Sequence, residues 1–156
     1  EPMSFESKWV LPDPIESYTD EALLERTRSL LPAGIVLRAS RFGEHRTIHA
    51  ELPVSRVEEV AGKLPSQKLF PDWRRDMDPP RSGGDTYDVH IGLVDDGRTV
   101  LSVYSNDGEN RAAWPLIVAI AATLVAELGG MHEEDAPPPS DRIPMFIEPG
   151  RRPKPN

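Results

Sequence analysis

Residues 114–128 read Trp-Pro-Leu-Ile-Val-Ala-Ile-Ala-Ala-Thr-Leu-Val-Ala-Glu-Leu, an apolar run with a single acid, Glu127, near its end. The run predicts a helix. Pro115 fits a first turn, where no intrahelical N–H is needed, and Gly129-Gly130 supplies the stop. A helix that is apolar around its whole circumference must be covered around its whole circumference. One sheet covers one flank, so the other needs a second helix, the chain's own tail or a partner. Ile117, Ile120, Leu124 and Leu128 are spaced to face a sheet, and Ala119, Ala122 and Ala126 form a small-residue side. At 1.5 Å per residue the run spans about 21 Å, against roughly 30 Å of hydrocarbon, so no membrane span is expected.

Working outward, residues 86–94 and 98–105 alternate as a hairpin. Asp95-Asp96-Gly97 suits a three-residue turn with Gly97 left-handed, which sets Val89 opposite Val103 and Ile91 opposite Leu101. Asp88, His90, Ser102 and Tyr104 then lie on the outer face. A second hairpin precedes it, over 35–42 and 46–52, with Gly43-Glu44 as a type II′ turn. Its register pairs Ala39 with Ile48, Leu37 with Ala50 and Ile35 with Leu52 on the apolar face. Arg38 then meets His49, Ser40 meets Thr47 and Val36 meets Glu51 on the polar one.

Two shorter helices complete the pattern. Thr19 caps the first, with Asp20 and Glu21 in the opening turn and Pro32 and Gly34 at its end. Ser55 begins the second, which runs to about Leu64 with Val57, Val60 and Leu64 on one side. The connection 65–85 is long, and Leu69, Phe70, Trp73 and Met77 imply that part of it packs. The expected fold is therefore α+β: a two-layer sandwich in which two hairpins form a four-stranded antiparallel sheet with helices on one face. The expected organisation is an irregular segment at 1–18, one domain at 19–130 and a proline-rich tail at 131–156. Within that tail Ile143-Pro144-Met145-Phe146-Ile147 is apolar enough to dock on the helix, with a symmetric dimer the alternative, leaving the choice of monomer or homodimer open.

The 156 residues suffice for one domain with a core. The net charge of -8 argues against nucleic-acid binding, which needs Lys and Arg on phosphates, and is compatible with a basic protein partner. With no cysteine there is no disulfide, thiolate nucleophile or cysteine-ligated zinc. No signal peptide is visible, so a cytoplasmic protein starting at Met3 is expected; the preceding Glu1-Pro2 leaves export open.

The outer sheet face gathers Arg38, His49, Glu51, Asp88, His90 and Tyr104, provided the two hairpins adjoin. Histidine beside carboxylate is raw material for proton transfer or metal binding. Outward polar residues are also the ordinary case on an antiparallel sheet, and solvation alone accounts for them. His45 and His49 lie about 13 Å apart along a strand, too far to share a metal. His132 beside Glu133-Glu134-Asp135 reads as a charged loop. Asp95-Asp96-Gly97 already serves as a turn, and Asn106-Asp107-Gly108-Glu109-Asn110 is too short for a calcium loop. Arg81-Ser82-Gly83-Gly84-Asp85 precedes a strand and lacks the lysine of a phosphate loop. No cofactor, no metal and no catalytic residue is expected. Trp73, Arg74 and Arg75 are the other partner-binding candidates, since Trp and Arg are enriched at interface hot spots. The alternative is that Trp73 covers one edge of the core while its arginines pair with neighbouring aspartates.

The hairpin over 87–104, the apolar helix through Gly129-Gly130 and the acidic Glu133-Glu134-Asp135 together resemble the small acidic immunity proteins of bacterial polymorphic-toxin systems. The likeness is architectural, covers roughly residues 85–135, and transfers no functional residue. It implies a non-enzymatic protein that binds and neutralises a cognate toxin. The acidic character and mixed helix–hairpin order are also similar to type III secretion chaperones, although the long tail and the 70–85 loop depart from that pattern. An exported lipoprotein-type ectodomain is the third alternative.

Overall fold

The computed structural model describes residues 5–80, 83–105 and 109–136. The fold is α+β, built on one antiparallel sheet. Its strands are β1 (Phe5–Leu11), β2 (Val36–Phe42), β3 (His45–Pro53), β4 (Thr86–Asp95), β5 (Thr99–Ser105) and β6 (Met131–His132). The helices are α1 (Asp20–Ser29), α2 (Val57–Lys63), α3 (Glu109–Ala112) and α4 (Trp114–Glu127). The sheet order is β2-β3-β4-β5-β1-β6.

Among the described residues six strands stand where the sequence led us to expect four. Residues 1–18 are not irregular throughout, because 5–11 form β1 between β5 and β6. Within β1, Trp9 and Leu11 are buried while Glu6 is exposed, a period-two pattern. The sheet domain also runs past residue 130, since Met131 and His132 pair with Val10 and Trp9. Gly129 takes φ +81° and the N–H of Gly130 donates to the Val125 carbonyl, closing α4. A Cβ on Gly130 would sit 2.6 Å from the carbonyl oxygen of Val10, so a side chain there would push β6 off the sheet.

The first hairpin matches its predicted register from Val36↔Glu51 to Ser40↔Thr47, with Gly43 at φ +63° in the turn. The second is displaced by two residues. Its loop is Asp96-Gly97-Arg98, Asp95 pairs with Thr99, and Leu93, not Ile91, faces Leu101. Asp95 Oδ1 accepts from the Gly97 N–H and Asp96 Oδ1 from the Arg98 N–H, fixing this turn one residue later than expected.

All of α4 from Pro115 to Ala121, and Thr123 to Val125, is buried. The hydroxyl of Thr123, its one buried side-chain polar group, donates to the Ala119 carbonyl at 2.7 Å. One flank of the helix lies on β5 and β1; α1 and the short turn at Ser66–Lys68 lie against it elsewhere. Leu69, Phe70 and Met77 pack on the same core, as the apolar character of that connection predicts. The expectation that 143–147 docks on α4 falls outside the described residues.

At the N-terminal end of α1, Thr19 Oγ1 accepts from the Ala22 N–H, the expected cap. Ser55, in contrast, falls within a 3-10 turn before α2 and makes no cap bond. Arg46, nearly buried on the core side of β3, reaches across to α1. It donates to Asp20 at 2.9 and 3.1 Å, to the Ile15 carbonyl and to the Tyr18 carbonyl. A buried guanidinium is tolerated only when its donors are used in this way.

The β4–β5 ladder stops at Gly92↔Ser102. Beyond it the carboxamide of Asn110 takes the place of the next rung. Its oxygen accepts from the His90 N–H at 3.1 Å, and its nitrogen donates to the carbonyls of His90 and Tyr104 at 2.9 and 3.0 Å. Asn110 is 6 % exposed, so its removal would strand these backbone groups away from water. Asn110→Ala is expected to destabilise the fold by about 2–3 kcal/mol. In hydrogen exchange the His90 amide should lose protection first; unchanged protection there would refute this role.

Candidate functional site

Strand β3 pairs with β4 so that His49 faces His90 and Glu51 faces Asp88, while Arg38 on β2 faces His49 from the other side. The two hairpins therefore adjoin, and five of the expected residues share one patch of the outer face. The imidazoles of His49 and His90 stack with centroids 4.3 Å apart and planes inclined by 24°. His49 Nε2 lies 3.5 Å from Asp88 Oδ1, and Arg38 Nη1 donates to Glu51 Oε2 at 3.1 Å. The patch thus carries two carboxylates, one guanidinium and two imidazoles, with both carboxylates matched to basic partners.

Tyr104 lies on the same face of β5, half exposed, across the gap that Asn110 bridges. Through its backbone bonds to both strands, Asn110 sets the spacing between His90 and Tyr104. The sequence reading noted Asn110 only as part of a polar loop; an asparagine before an apolar helix gives no sign of which backbone it will meet. Val36, expected on the polar face, and Phe42 are exposed apolar groups the sequence reading did not single out. They are 51 % and 86 % exposed and share the outward parity of Arg38.

Trp73, Arg74 and Arg75 lie elsewhere, in the helical layer. Trp73 is 7 % exposed and belongs to the core. The Arg74 guanidinium lies 4.5 Å from the centre of its ring and binds Glu58 of α2 through two bonds of 2.7 Å. Arg75 pairs with Asp72 at 3.2 Å and lies 3.9 Å from Asp76. The indole closes one edge of the core, and its arginines are matched by nearby carboxylates. Within this trio the indole is buried, while the side chains of both arginines are largely exposed.

A groove of about 730 Å³ opens near the ends of β1 and β6, lined by Leu11, Pro12, Ile15, Arg98, Thr99 and Met131 among others. Two of its polar groups are engaged: Arg98 Nη2 pairs with Glu133 at 3.1 Å, and Thr99 donates to the Asp13 carbonyl. No group of three histidine or acidic side chains placed to hold a metal occurs among the described residues. His132 instead uses Nδ1 to accept from the Glu134 N–H. No helix among the described residues is long and apolar enough to cross a membrane. Comparison with protein-family models, curated proteins and solved structures finds no match for this chain.

The electrostatics of the histidine stack give a pH signature. Desolvation, with the neighbouring His49 and then Arg38, lowers the pKa of His90 below its ordinary value of 6.5, while Asp88 acts in the opposite sense. Below about pH 6.5 the unfolded chain takes up a proton that folded His90 resists. This contribution to stability is complete above that pH and is lost as pH falls toward the lowered folded value. The melting temperature is expected to fall on acidification from neutral pH toward 5, and His90→Gln should flatten that fall. An identical pH profile in the variant, or an NMR titration midpoint for His90 at or above 6.5, would contradict the assignment.

Proposed function

We propose that this protein is a non-enzymatic binding module that engages another protein through the outer face of its sheet. Immunity to a cognate bacterial toxin is the role that fits it best. The observation that carries the reading is the in-register β3–β4 pairing, which gathers Arg38, His49, Glu51, Asp88 and His90 on an open face beside Tyr104. Tyrosine and arginine are the residue types through which protein interfaces draw most of their energy. The patch is preorganised: the rings are stacked, and Arg38 is held by Glu51, so binding orders few side chains. The net charge of -8 favours encounter with a basic partner. Trp73 is not part of the proposed contact surface, because its indole is committed to the core.

The test is affinity capture from the host organism with mass spectrometry of the bound proteins, followed by variants on each candidate surface. Tyr104→Ala and Arg38→Glu are each expected to weaken capture by about 2 kcal/mol, roughly thirty-fold in Kd, with unchanged folding. Arg74→Ala and Arg75→Ala should have little effect. A toxin-domain protein in the captured set would support the immunity role, and a secretion substrate would favour the chaperone alternative. Loss of capture through the Arg74 and Arg75 variants alone would move the interface to the helical layer.

A further inference from the structure

The sheet has two edges, and they are unlike. β6 is only two residues long, a short edge of the kind that resists strand pairing. β2 is seven residues long and, among the described residues, has β3 on one side only. Phe42 and His45 flank the two-residue turn at Gly43-Glu44. By the alternation of an antiparallel ladder, Phe42, Ser40, Arg38 and Val36 use their backbone groups toward β3. The N–H and C=O groups of Leu37, Ala39 and Arg41 are therefore directed at the free edge.

Proteins commonly guard such an edge with unpaired charge. Here both charges on β2, though more than half exposed, are paired within their own subunit. Arg38 is bound to Glu51 at 3.1 Å, and Arg41 Nε lies 3.4 Å from Asp20. What stays uncompensated is apolar: Val36 and Phe42, at opposite ends of the strand and on the same face.

We propose that β2 pairs with β2 of a second copy of this chain, antiparallel about a twofold axis at Ala39, to make a continuous twelve-stranded sheet. The strand is self-complementary about that residue. A centre at Ala39 pairs all seven residues and sets each Val36 opposite the partner copy's Phe42, so the apolar pair forms once at each end of the seam. It also sets Arg38 opposite Ser40. Moving the centre to Arg38 would bring two guanidiniums face to face, and moving it to Ser40 would place Phe42 opposite Arg38; either shift leaves only five residues paired. Antiparallel cross-strand apolar pairs stabilise, and like charges directly opposite destabilise. In the resulting dimer the two outer faces, each with its histidine stack, join into one surface on the same side of the sheet.

The absence of cysteine in the chain gives a clean test. Val36→Cys and Phe42→Cys variants of the full chain are made separately, then mixed and oxidised. The proposed register brings residue 36 of one copy opposite residue 42 of the other, within the span of about 4.4–6.8 Å that a disulfide bridges. It holds the two copies of residue 36 about 20 Å apart. The expected result is a linked dimer in the mixture and little in either variant alone, with the unmodified protein sedimenting as a dimer. Circular dichroism of both variants should match the parent, since the replaced side chains are exposed. An unmodified protein that sediments as a monomer would overturn the proposal, and the β2 edge would then be open to a strand of a different protein. Equal cross-linking in each variant alone and in the mixture would overturn the register and with it the proposal.

Discussion

An apolar helix with no polar side forces the rest of this molecule into place. Helix α4 carries ten buried residues in fourteen, and no single layer can cover such a cylinder. The sheet supplies one flank through β5 and β1. The helical layer supplies the rest: α1, the turn at Ser66–Lys68 and the apolar residues of the long connection. Trp73 is best understood in these terms. It sits in a loop yet belongs to the core, and Arg74 lies over its ring.

Enclosure of α4 has a consequence on the opposite side of the sheet. The chain must leave β5 and enter the helix within a few residues, and α3 makes that corner. Asn110 sits in the corner and occupies the opening between β4 and β5 with three hydrogen bonds to their backbones. A buried carboxamide of this kind is worth its desolvation only if its polar atoms are engaged, and here both N–H groups donate while the oxygen accepts once. The spacing of His90 and Tyr104 on the outer face is thus set from the core side, by the residue that allows α4 to begin.

How much of this was legible depends on parity. The register of β2 against β3 could be read because a two-residue turn and the burial pattern agree, and a slip of one residue would have turned Leu37 and Ile48 outward. In β4–β5 the error was a slip of two, which keeps every residue on its proper face and leaves no trace in the periodicity. Only the aspartate side chains that cap Gly97 and Arg98 decide between the two turns. β1 was missed because its alternation is short and bounded by prolines, and β6 because two residues carry no period at all. The outer cluster was nameable residue by residue, but its existence rests on β3 adjoining β4, a tertiary fact that no local pattern contains. Burial of Trp73 was one of two readings the sequence offered, since an indole beside two arginines reads the same at an interface and over a core edge.

Charge ties the outer face to the edge beside it. A chain with a net charge of -8 repels its own copies, so association needs a region where that excess is locally absent. Glu21, Glu25, Glu58 and Glu59 all lie on α1 and α2, in the helical layer. β2 contains no acid at all, and its two arginines meet Glu51 and Asp20 within the same subunit. In the neighbouring patch Glu51 is paired with Arg38, and Asp88 lies 3.5 Å from the His49 imidazole. These acids lie on the helices, whereas the strand at the sheet edge carries none of its own.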